Sequence, residues 1–406
     1  MHIALDVSAL DPEFRAHAVR GTGRYVSELY SGFLNKIEAS QESQLSTFRY
    51  TDLGKGTFLD SCIDYLPAGK MTLRHQVAYP LSITKDSVNH ADLLHFPVHA
   101  DAPAWSKQPF VVTVLDLIPL IFKDLYAPKI NNARFRFARW LELQSIKNAK
   151  HILAISECTA RDVHRLLGVP RDKISVTYLG VCDTFFDQKR NILNEKELEE
   201  LGIDPDRPIV LYVGGIDQRK NISFLLESFS DVLYHCHEKK KPLPQLVMAG
   251  KIQDDLQYVN FSHNVRRLDI ADSIVETGYL SDELLKKLYS SADLFFYPSL
   301  YEGFGLPVLE AMASGLPVAC SNTSSLPEVA GDAALLFDPS DKAQAVRSVL
   351  SGLFDSSLRD TLVDTGRSRA KRFNWESTIT STLGGYQKAL NLLDSTPASS
   401  SNRAFL

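Results

Sequence analysis

The stretch Asp293–Ser321, DLFFYPSLYEGFGLPVLEAMASGLPVACS, decides the fold. Leu294-Phe295-Phe296-Tyr297 is short, apolar and aromatic, the pattern of a strand buried on both faces of a parallel sheet. Pro298 and Ser299 end that strand, and the loop Tyr301-Glu302-Gly303-Phe304-Gly305 follows. Pro307 fits the first turn of a helix, where a missing N–H costs nothing, and the helix is predicted to run to about Ser314. Gly315 and Pro317 stop it, and Val318-Ala319-Cys320 begins the next strand. The order strand, glycine loop, helix, strand aims the loop amides and the helix's positive end at one spot, suited to an anion such as a phosphate.

Two carboxylates frame the loop. Glu302 precedes the glycines, and Glu310 lies eight positions on, about one turn into the helix. By charge alone, a loop glutamate in solvent and a helix glutamate on a polar face would account for both. The surroundings of Glu310 argue otherwise, because Val308, Leu309, Ala311, Met312 and Ala313 leave it no wide polar face. A carboxylate on such a helix is costly without partners, and sugar or ribose hydroxyls are suitable ones.

Glu302-Gly-Phe-Gly-Leu-Pro-Val-Leu-Glu310, two glutamates separated by seven residues and followed by a small-residue helix, resembles the signature of the large retaining glycosyltransferase family with the two-domain GT-B fold, commonly numbered family 4. The glycines, the proline and both glutamates agree in order and spacing. The resemblance runs over nearly the whole chain, strongest from 209 to 340.

Length and composition suit such a protein. At 406 residues the chain is too long for one ordinary core and fits two domains. Hydrophobic content of 44% and charged content of 23% are those of a soluble globular protein. A net charge of −5 argues against a general nucleic-acid binder, so phosphate recognition must be local. Cys62, Cys158, Cys182, Cys236 and Cys320 show no paired spacing and fit structural thiols in a reducing compartment. The opening MHIALDVSAL reads as a strand rather than a signal peptide, and no window approaches a membrane span. The expected location is cytoplasmic, with peripheral contact at the inner face of the plasma membrane as a variant of it.

In the first half, Ile3–Val7 is a strand, and Gly21-Thr22-Gly23-Arg24 opens a helix carrying Tyr25, Leu29, Phe33, Leu34 and Ile37. Val26 stands where a dinucleotide fingerprint needs its third glycine, so the motif is weak by itself. Strands Leu93–Phe96 and Val111–Leu115 follow, placing His95, His99 and Asp116 at strand ends, where α/β proteins gather functional groups. Each histidine also has a satisfied structural role available, and Asp116 can cap the next turn. The segment Asn132–Lys150 interleaves Phe135, Trp140, Leu141 and Ile146 with Arg134, Arg136, Arg139 and Lys147. A basic aromatic helix of this kind lies on a membrane surface or packs on the sheet with a solvated basic edge. Ser156 is placed to cap the helix holding Thr159 to Leu167.

From Asp183 to Pro208 the chain turns polar, and the domain boundary is placed at 182/183. Asp204-Pro205-Asp206 spells the Asp-x-Asp metal pattern of another transferase class, but the central proline reads as a turn. Strand Ile209–Val213 runs into Gly214-Gly215-Ile216-Asp217-Gln218-Arg219-Lys220-Asn221, where glycines admit close approach and two cations neutralise a diphosphate. Leu246–Gly250 and Ile274–Leu280 give two further strand ends, Leu335–Pro339 closes the sheet, and after Phe373-Asn374-Trp375 a final helix extends to about Leu393. The small polar tail, 395–406, is expected to be disordered.

The resemblance implies an α/β fold of GT-B type, with two Rossmann-like domains facing an interdomain cleft. Residues 1–182 would form the acceptor domain and 183–375 the donor domain, with the helix 376–394 crossing back onto the first. It implies sugar transfer from a nucleotide-diphosphate donor to a glycan or lipid-linked saccharide acceptor, with retention and with no metal or other cofactor. Arg219, Lys220 and the Gly303-Phe304-Gly305-Leu306 backbone would hold the diphosphate, Glu310 the ribose, and Glu302 the sugar. Gly215, Tyr279 and Leu280 would complete the nucleotide site, and Gly21 and Gly23 would border the cleft. Asp116 joins Glu302, Arg219 and Lys220 as a catalytic candidate. Leu115 stands where many relatives carry a sugar-contacting histidine, and His99 is either a substitute for it or without a part in the site. Likeness of Gly-Thr-Gly-Arg-Tyr and Asp-Leu-Ile-Pro to mannosyltransferases makes mannose from GDP-mannose the first expectation. A paired-carboxylate glycoside hydrolase, a two-domain sugar-binding protein and a GT-B sugar-nucleotide epimerase stand as rivals, and oligomeric state stays open.

Overall fold

The structure, a computed structural model, describes residues 1–11, 21–40, 44–49, 88, 90–123, 133–187 and 192–394. Cys62, Asn132, the residues just before Gly21 and the tail 395–406 lie outside these. The chain divides into two compact units: Met1–Tyr178 with Trp375–Leu406, and Leu179–Asn374. The division therefore falls four residues before the polar segment read from sequence. Val181 donates its N–H to Phe373 O (3.0 Å), so the chain from Leu179 already belongs to the second unit.

In the first unit, β1 (His2–Asp6), β2 (Gln44–Phe48), β3 (Leu93–Phe96), β4 (Phe110–Val114), β5 (His151–Ala154) and β6 (Ile174–Val176) form a parallel sheet ordered β2-β1-β3-β4-β5-β6. Runs such as Phe110-Val-Val-Thr-Val114 are buried at every position, as strands covered on both faces must be. The helix Glu157–Leu167 starts on Ser156, whose Oγ accepts from the Thr159 N–H (3.0 Å). The helix Trp375–Asp394 belongs to this unit. Its Gly385 leaves room for Leu153, since an added Cβ would stand 2.4 Å from Leu153 Cδ2.

One polar chain crosses the apolar interior of this unit. Tyr386 OH meets His95 Nδ1 (2.7 Å), His95 Nε2 meets Thr113 Oγ1 (2.9 Å), and Tyr25 OH meets the same hydroxyl (3.0 Å). Burial holds His95 neutral, with its pKa lowered to about 3. Both ring nitrogens are satisfied, so His95 ties the C-terminal helix to β3 and β4 in a structural role.

In the second unit, β7 (Ile209–Val213), β8 (Gln245–Ala249), β9 (Ile274–Gly278), β10 (Leu294–Tyr297), β11 (Val318–Ser321) and β12 (Leu335–Phe337) form a parallel sheet ordered β12-β11-β10-β7-β8-β9. This is the doubly wound dinucleotide-type order, and the winding direction reverses between β7 and β10. Loops leaving neighbouring strands in opposite directions open a crevice at that point. The helix after β10 spans Leu306–Ala313 with Pro307 in its first turn, as its sequence predicts, and Ser314 caps it. Asp204-Pro205-Asp206 is an exposed turn, Asp206 N–H donating to Asp204 Oδ1 (2.9 Å). Cys320 is a buried thiol pushed up to about 12 by burial.

Candidate active site

The reversal in the second sheet brings the loop after β7 against the loop after β10. Leu300 N–H and Ser299 Oγ both reach Arg219 O, at 2.7 and 3.2 Å, stitching the two loops together. Gly250 explains how close the strand ends stand, for a Cβ there would lie 2.2 Å from Gly214 O. Ser325 Oγ donates to Glu302 O (2.9 Å) or Phe304 O (2.7 Å), and Glu302 N–H donates to Ser324 Oγ (2.9 Å). The glycine loop is thus folded back on a serine pair that its own sequence does not contain.

Glu302 sits at the centre of the junction, 8% exposed. Its Oε1 accepts from Lys220 Nζ (2.6 Å), Ser299 Oγ (2.6 Å) and Tyr297 OH (3.0 Å), and its Oε2 from Arg219 Nη1 (3.0 Å). Lys220 Nζ also donates to Tyr297 OH, and Arg219 Nε reaches Asp217 Oδ1 (3.1 Å). Burial alone would raise the Glu302 carboxyl, but Lys220 and Arg219, with hydrogen bonds from Lys220 and Ser299, outweigh it and hold it at about 2. Burial works the other way on Lys220, lowering its pKa, so the ammonium relies on Glu302 to stay charged. Tyr212 and Tyr297 are both raised, first by burial and then by the Glu302 charge, and stay protonated.

The cations read as diphosphate grips are therefore already engaged with the carboxylate read as the sugar contact. The constellation is two carboxylates, Glu302 at its centre and Asp217 at its edge, with two cations and two hydroxyls, and it can exchange the Glu302 carboxylate for an incoming anion. Gly305, at φ +110, supplies the left-handed turn into the helix, and a Cβ there would stand 2.7 Å from Leu326 Cδ2. The N–H groups of Val308 and Leu309 go to Gly305 O (3.1 and 3.2 Å), which leaves those of Gly305 and Leu306 as the loop's donors for an anion at the helix's positive end.

Phe304 turns its side chain inward, edge-on to Phe373 at 5.8 Å, so position 304 offers backbone and not a ring. Glu310 is buried among Val308–Ala313, and Tyr289 OH donates to its Oε2 (3.1 Å). Gly215 lies at the β7 end with open space around its Cα; Tyr212 OH holds its carbonyl at 2.5 Å. Tyr279 and Leu280 follow β9, two strands from β7, or roughly 10 Å at strand spacing. Tyr279 is half exposed beneath Lys251 Nζ (5.8 Å to the ring), and Leu280 is buried.

Gly21, Gly23 and Asp116 belong to the first unit. Gly21 and Gly23 start the helix Thr22–Ser40, with Tyr25 N–H on Gly21 O (3.0 Å). Asp116 accepts the Ile118 N–H (3.0 Å) and starts the short helix Ile118–Ile121, the capping alternative noted above. His99 is turned onto Glu142 (3.0 Å) and is buried, so its ring has a structural partner. Reading by sequence missed Tyr297, Ser299, Ser324, Ser325 and Tyr289. Their only local signal is a run of hydroxyls flanking the strand end and the loop after β11.

Residues 194–369 match the family described as glycosyl transferases group 1, and residues 70–185 match glycosyltransferase family 4. O-antigen chain mannosyltransferase B of Escherichia coli is 32% identical over 316 residues, covering 76% of each chain. The serotype-specific mannosyltransferase WbdA of Escherichia coli is 29% identical over 310 residues; this chain spans only 37% of that longer protein. Among solved structures, sucrose-phosphate synthase from Thermosynechococcus elongatus superimposes with a TM-score of 0.70 at 21% identity, over 96% of this chain and 99% of that one. HepE of Anabaena in complex with UDP and glucose gives 0.65 at 15% identity, over 95% and 99%. The resemblance carried by Glu302, the glycines and Glu310 is borne out: the chain is a glycosyltransferase of GT-B fold and belongs to glycosyltransferase family 4.

Proposed function

We propose that the chain transfers mannose from GDP-mannose to a glycan or lipid-linked saccharide in surface polysaccharide synthesis, with retention at the anomeric carbon and without a metal ion. The observation that carries this reading is the buried Glu302–Lys220–Arg219 cluster at the point where the second sheet reverses. Transfer breaks the bond between the anomeric carbon and the β-phosphate oxygen, whose electrons stay with the nucleoside diphosphate. Lys220, Arg219 and the amides entering the Leu306–Ala313 helix meet that growing charge inside a low-dielectric site, where such donors act most strongly. The acceptor hydroxyl oxygen bonds to the anomeric carbon, and its proton leaves with the departing phosphate.

Glu302, held ionised, is suited to accept hydrogen bonds from sugar hydroxyls and to stabilise positive character at the anomeric carbon. Glu310, which already accepts from Tyr289 OH, is the carboxylate assigned in this reading to the ribose hydroxyls. The choice of mannose is supported by the likeness to O-antigen chain mannosyltransferase B and to the mannosyltransferase WbdA. A hydrolytic dyad is disfavoured, because it gives no role to the two cations, Lys220 and Arg219, that hold Glu302.

The test is a thermal-shift and turnover screen of the whole protein with GDP, UDP and ADP and their hexose conjugates. GDP and GDP-mannose should raise the melting temperature by mass action, and nuclear magnetic resonance of the product should show the donor's anomeric configuration after excess chelator. No shift with any nucleotide, together with undiminished turnover in Glu310→Ala, sinks the reading. Isomerised donor without acceptor would assign an epimerase instead.

A further inference from the structure

Trp105, Phe137 and Trp140 form a continuous aromatic shelf on the first unit. The Trp105 and Trp140 ring centroids lie 5.8 Å apart, and Phe137 stacks on Trp140 at 5.9 Å with planes 22° apart. Trp105, Phe137 and Trp140 are 55%, 53% and 46% exposed, so all three rings face water. Large apolar patches of this kind on a soluble protein mark an interaction surface.

The helix Ala133–Asn148 presents the shelf and is itself fixed to the sheet, since Leu141 and Ile146 are buried and Ile146 joins the core with Val112 and Ile152. On its outer face the exposed charged side chains among those described are Arg136 and Lys147, both basic. Its one acid, Glu142, is turned in onto His99 (3.0 Å) and Arg139 (2.5 Å). Arg136 and Trp140 are four residues apart and so neighbours on the helix surface, and Lys107 is exposed two residues after Trp105. A chain of net charge −5 therefore carries basic side chains beside this exposed aromatic cluster.

We propose that this shelf docks on an anionic lipid surface, with the rings entering the interfacial layer and Arg136 and Lys107 facing lipid phosphates. Indole and phenyl rings favour the headgroup boundary, and basic residues beside them gain from the negative surface potential. A neutral glycan gains nothing from those cations, and a second copy of the same face would bring like charges together. The helix stays packed on the sheet and only its outer rings insert. The proposal goes beyond the donor chemistry and is read without transfer, so either can fail alone.

The test uses the whole protein with vesicles of phosphatidylcholine alone and of phosphatidylcholine with about a third phosphatidylglycerol. Binding should favour the anionic vesicles, weaken as salt rises through the Debye screening range, and shift tryptophan emission to the blue. Trp105→Ser/Phe137→Ser/Trp140→Ser should lower partitioning at least about tenfold while leaving the GDP-induced thermal shift in place. Lys107→Glu/Arg136→Glu, confined to exposed side chains, covers the case in which the triple variant fails to fold, and should abolish the anionic preference. Absence of vesicle binding in the parent protein, equal binding by the double charge variant, or a shift from dimer to monomer as the only effect of the substitutions overturns the proposal.

Discussion

Lys220 and Glu302 form a buried ion pair, Nζ to Oε1 at 2.6 Å, across 82 residues of sequence. Arg219 closes the other carboxylate oxygen at 3.0 Å, so both cations of the β7 loop are neutralised from within. A diphosphate entering this loop meets cations that already have a partner, and Glu302 must yield them before it can turn to a sugar hydroxyl. Competition of this kind weakens the bare nucleoside diphosphate more than the donor, whose sugar gives the displaced carboxylate new partners.

Replacing Glu302 with Gln removes the internal competitor, leaving Lys220 without its counter-charge and Arg219 with Asp217 alone. Calorimetric titration should then show GDP binding tightened by about tenfold, equivalent to about 1.4 kcal/mol. Transfer should fall by about a hundredfold or more, since the same substitution removes charge opposite the anomeric centre. The protein should also lose about 3–5 kcal/mol of stability without nucleotide, as buried cations that lose their partner do. Weaker GDP binding in this variant would show that Glu302 supports the cations and does not compete for them.

Acid stability should report the two units separately, because the chain's three tryptophans, Trp105, Trp140 and Trp375, all lie in the first. His95 and His151 are held neutral there, both chiefly by burial, at about 3 and about 4. Their folded values lie below the unfolded value near 6.5, so the unfolded chain binds more protons and stability falls as pH drops through 6.5 toward 3. Glu302 in the second unit is depressed from 4.5 to about 2, so its contribution is complete above 4.5 and is lost only below it. The urea midpoint followed by tryptophan emission should therefore decline between pH 7 and pH 5, with a slope near 1 kcal/mol per pH unit for each histidine. His95→Gln should flatten that decline, and an unchanged slope would mean the ring is not the titrating group.

Three glycines in the donor loops give a ranking by geometry. Gly250→Ala should be the most damaging, with its Cβ forced to 2.2 Å from a backbone carbonyl at φ +153. Gly305→Ala meets the end of a leucine side chain at 2.7 Å at φ +110, and should cost about 1–3 kcal/mol of backbone strain. Gly215→Ala meets nothing within 4 Å and should leave stability within about 0.5 kcal/mol. If Gly215→Ala nonetheless weakens GDP binding with no loss of melting temperature, the open space beside it is where the ligand's phosphate approaches.

The second unit was largely legible because its signals are local. The apolar run of β10, the proline in the first helical turn and the two glutamates eight positions apart all lie within one stretch, and their spacing survives folding. Pairings between distant segments were not legible. That Lys220 and Glu302 neutralise each other follows only from β7 and β10 being neighbours in the sheet. The His95–Tyr386 contact spans 291 residues and needs the last helix to return to the first sheet. Asp116 at its strand end holds the Ile118 N–H, a contact that the sequence offered only as one of two readings.

Tyr297 is the residue on which these long-range relations converge. Its hydroxyl accepts from Lys220 Nζ and donates to Glu302 Oε1 (3.0 Å), fixing cation and carboxylate relative to each other. It is fully buried and stacked on Tyr212 at 5.7 Å, so the ring cannot follow if either partner moves. Tyr297→Phe keeps the ring and deletes only the hydroxyl. Stability should fall by about 1–3 kcal/mol, the cost of leaving buried polar partners unsatisfied. The decisive readout is kinetic: kcat should drop by about tenfold or more with the donor KM changed much less, because the hydroxyl positions Glu302 and does not itself bind the nucleotide. Tyr386→Phe supplies the comparison, as it deletes an equally buried hydroxyl from the His95 network in the first unit. If both variants lose the same stability and both retain kcat, Tyr297 is a packing residue; a kcat loss confined to Tyr297→Phe makes it the positioning group of the donor site.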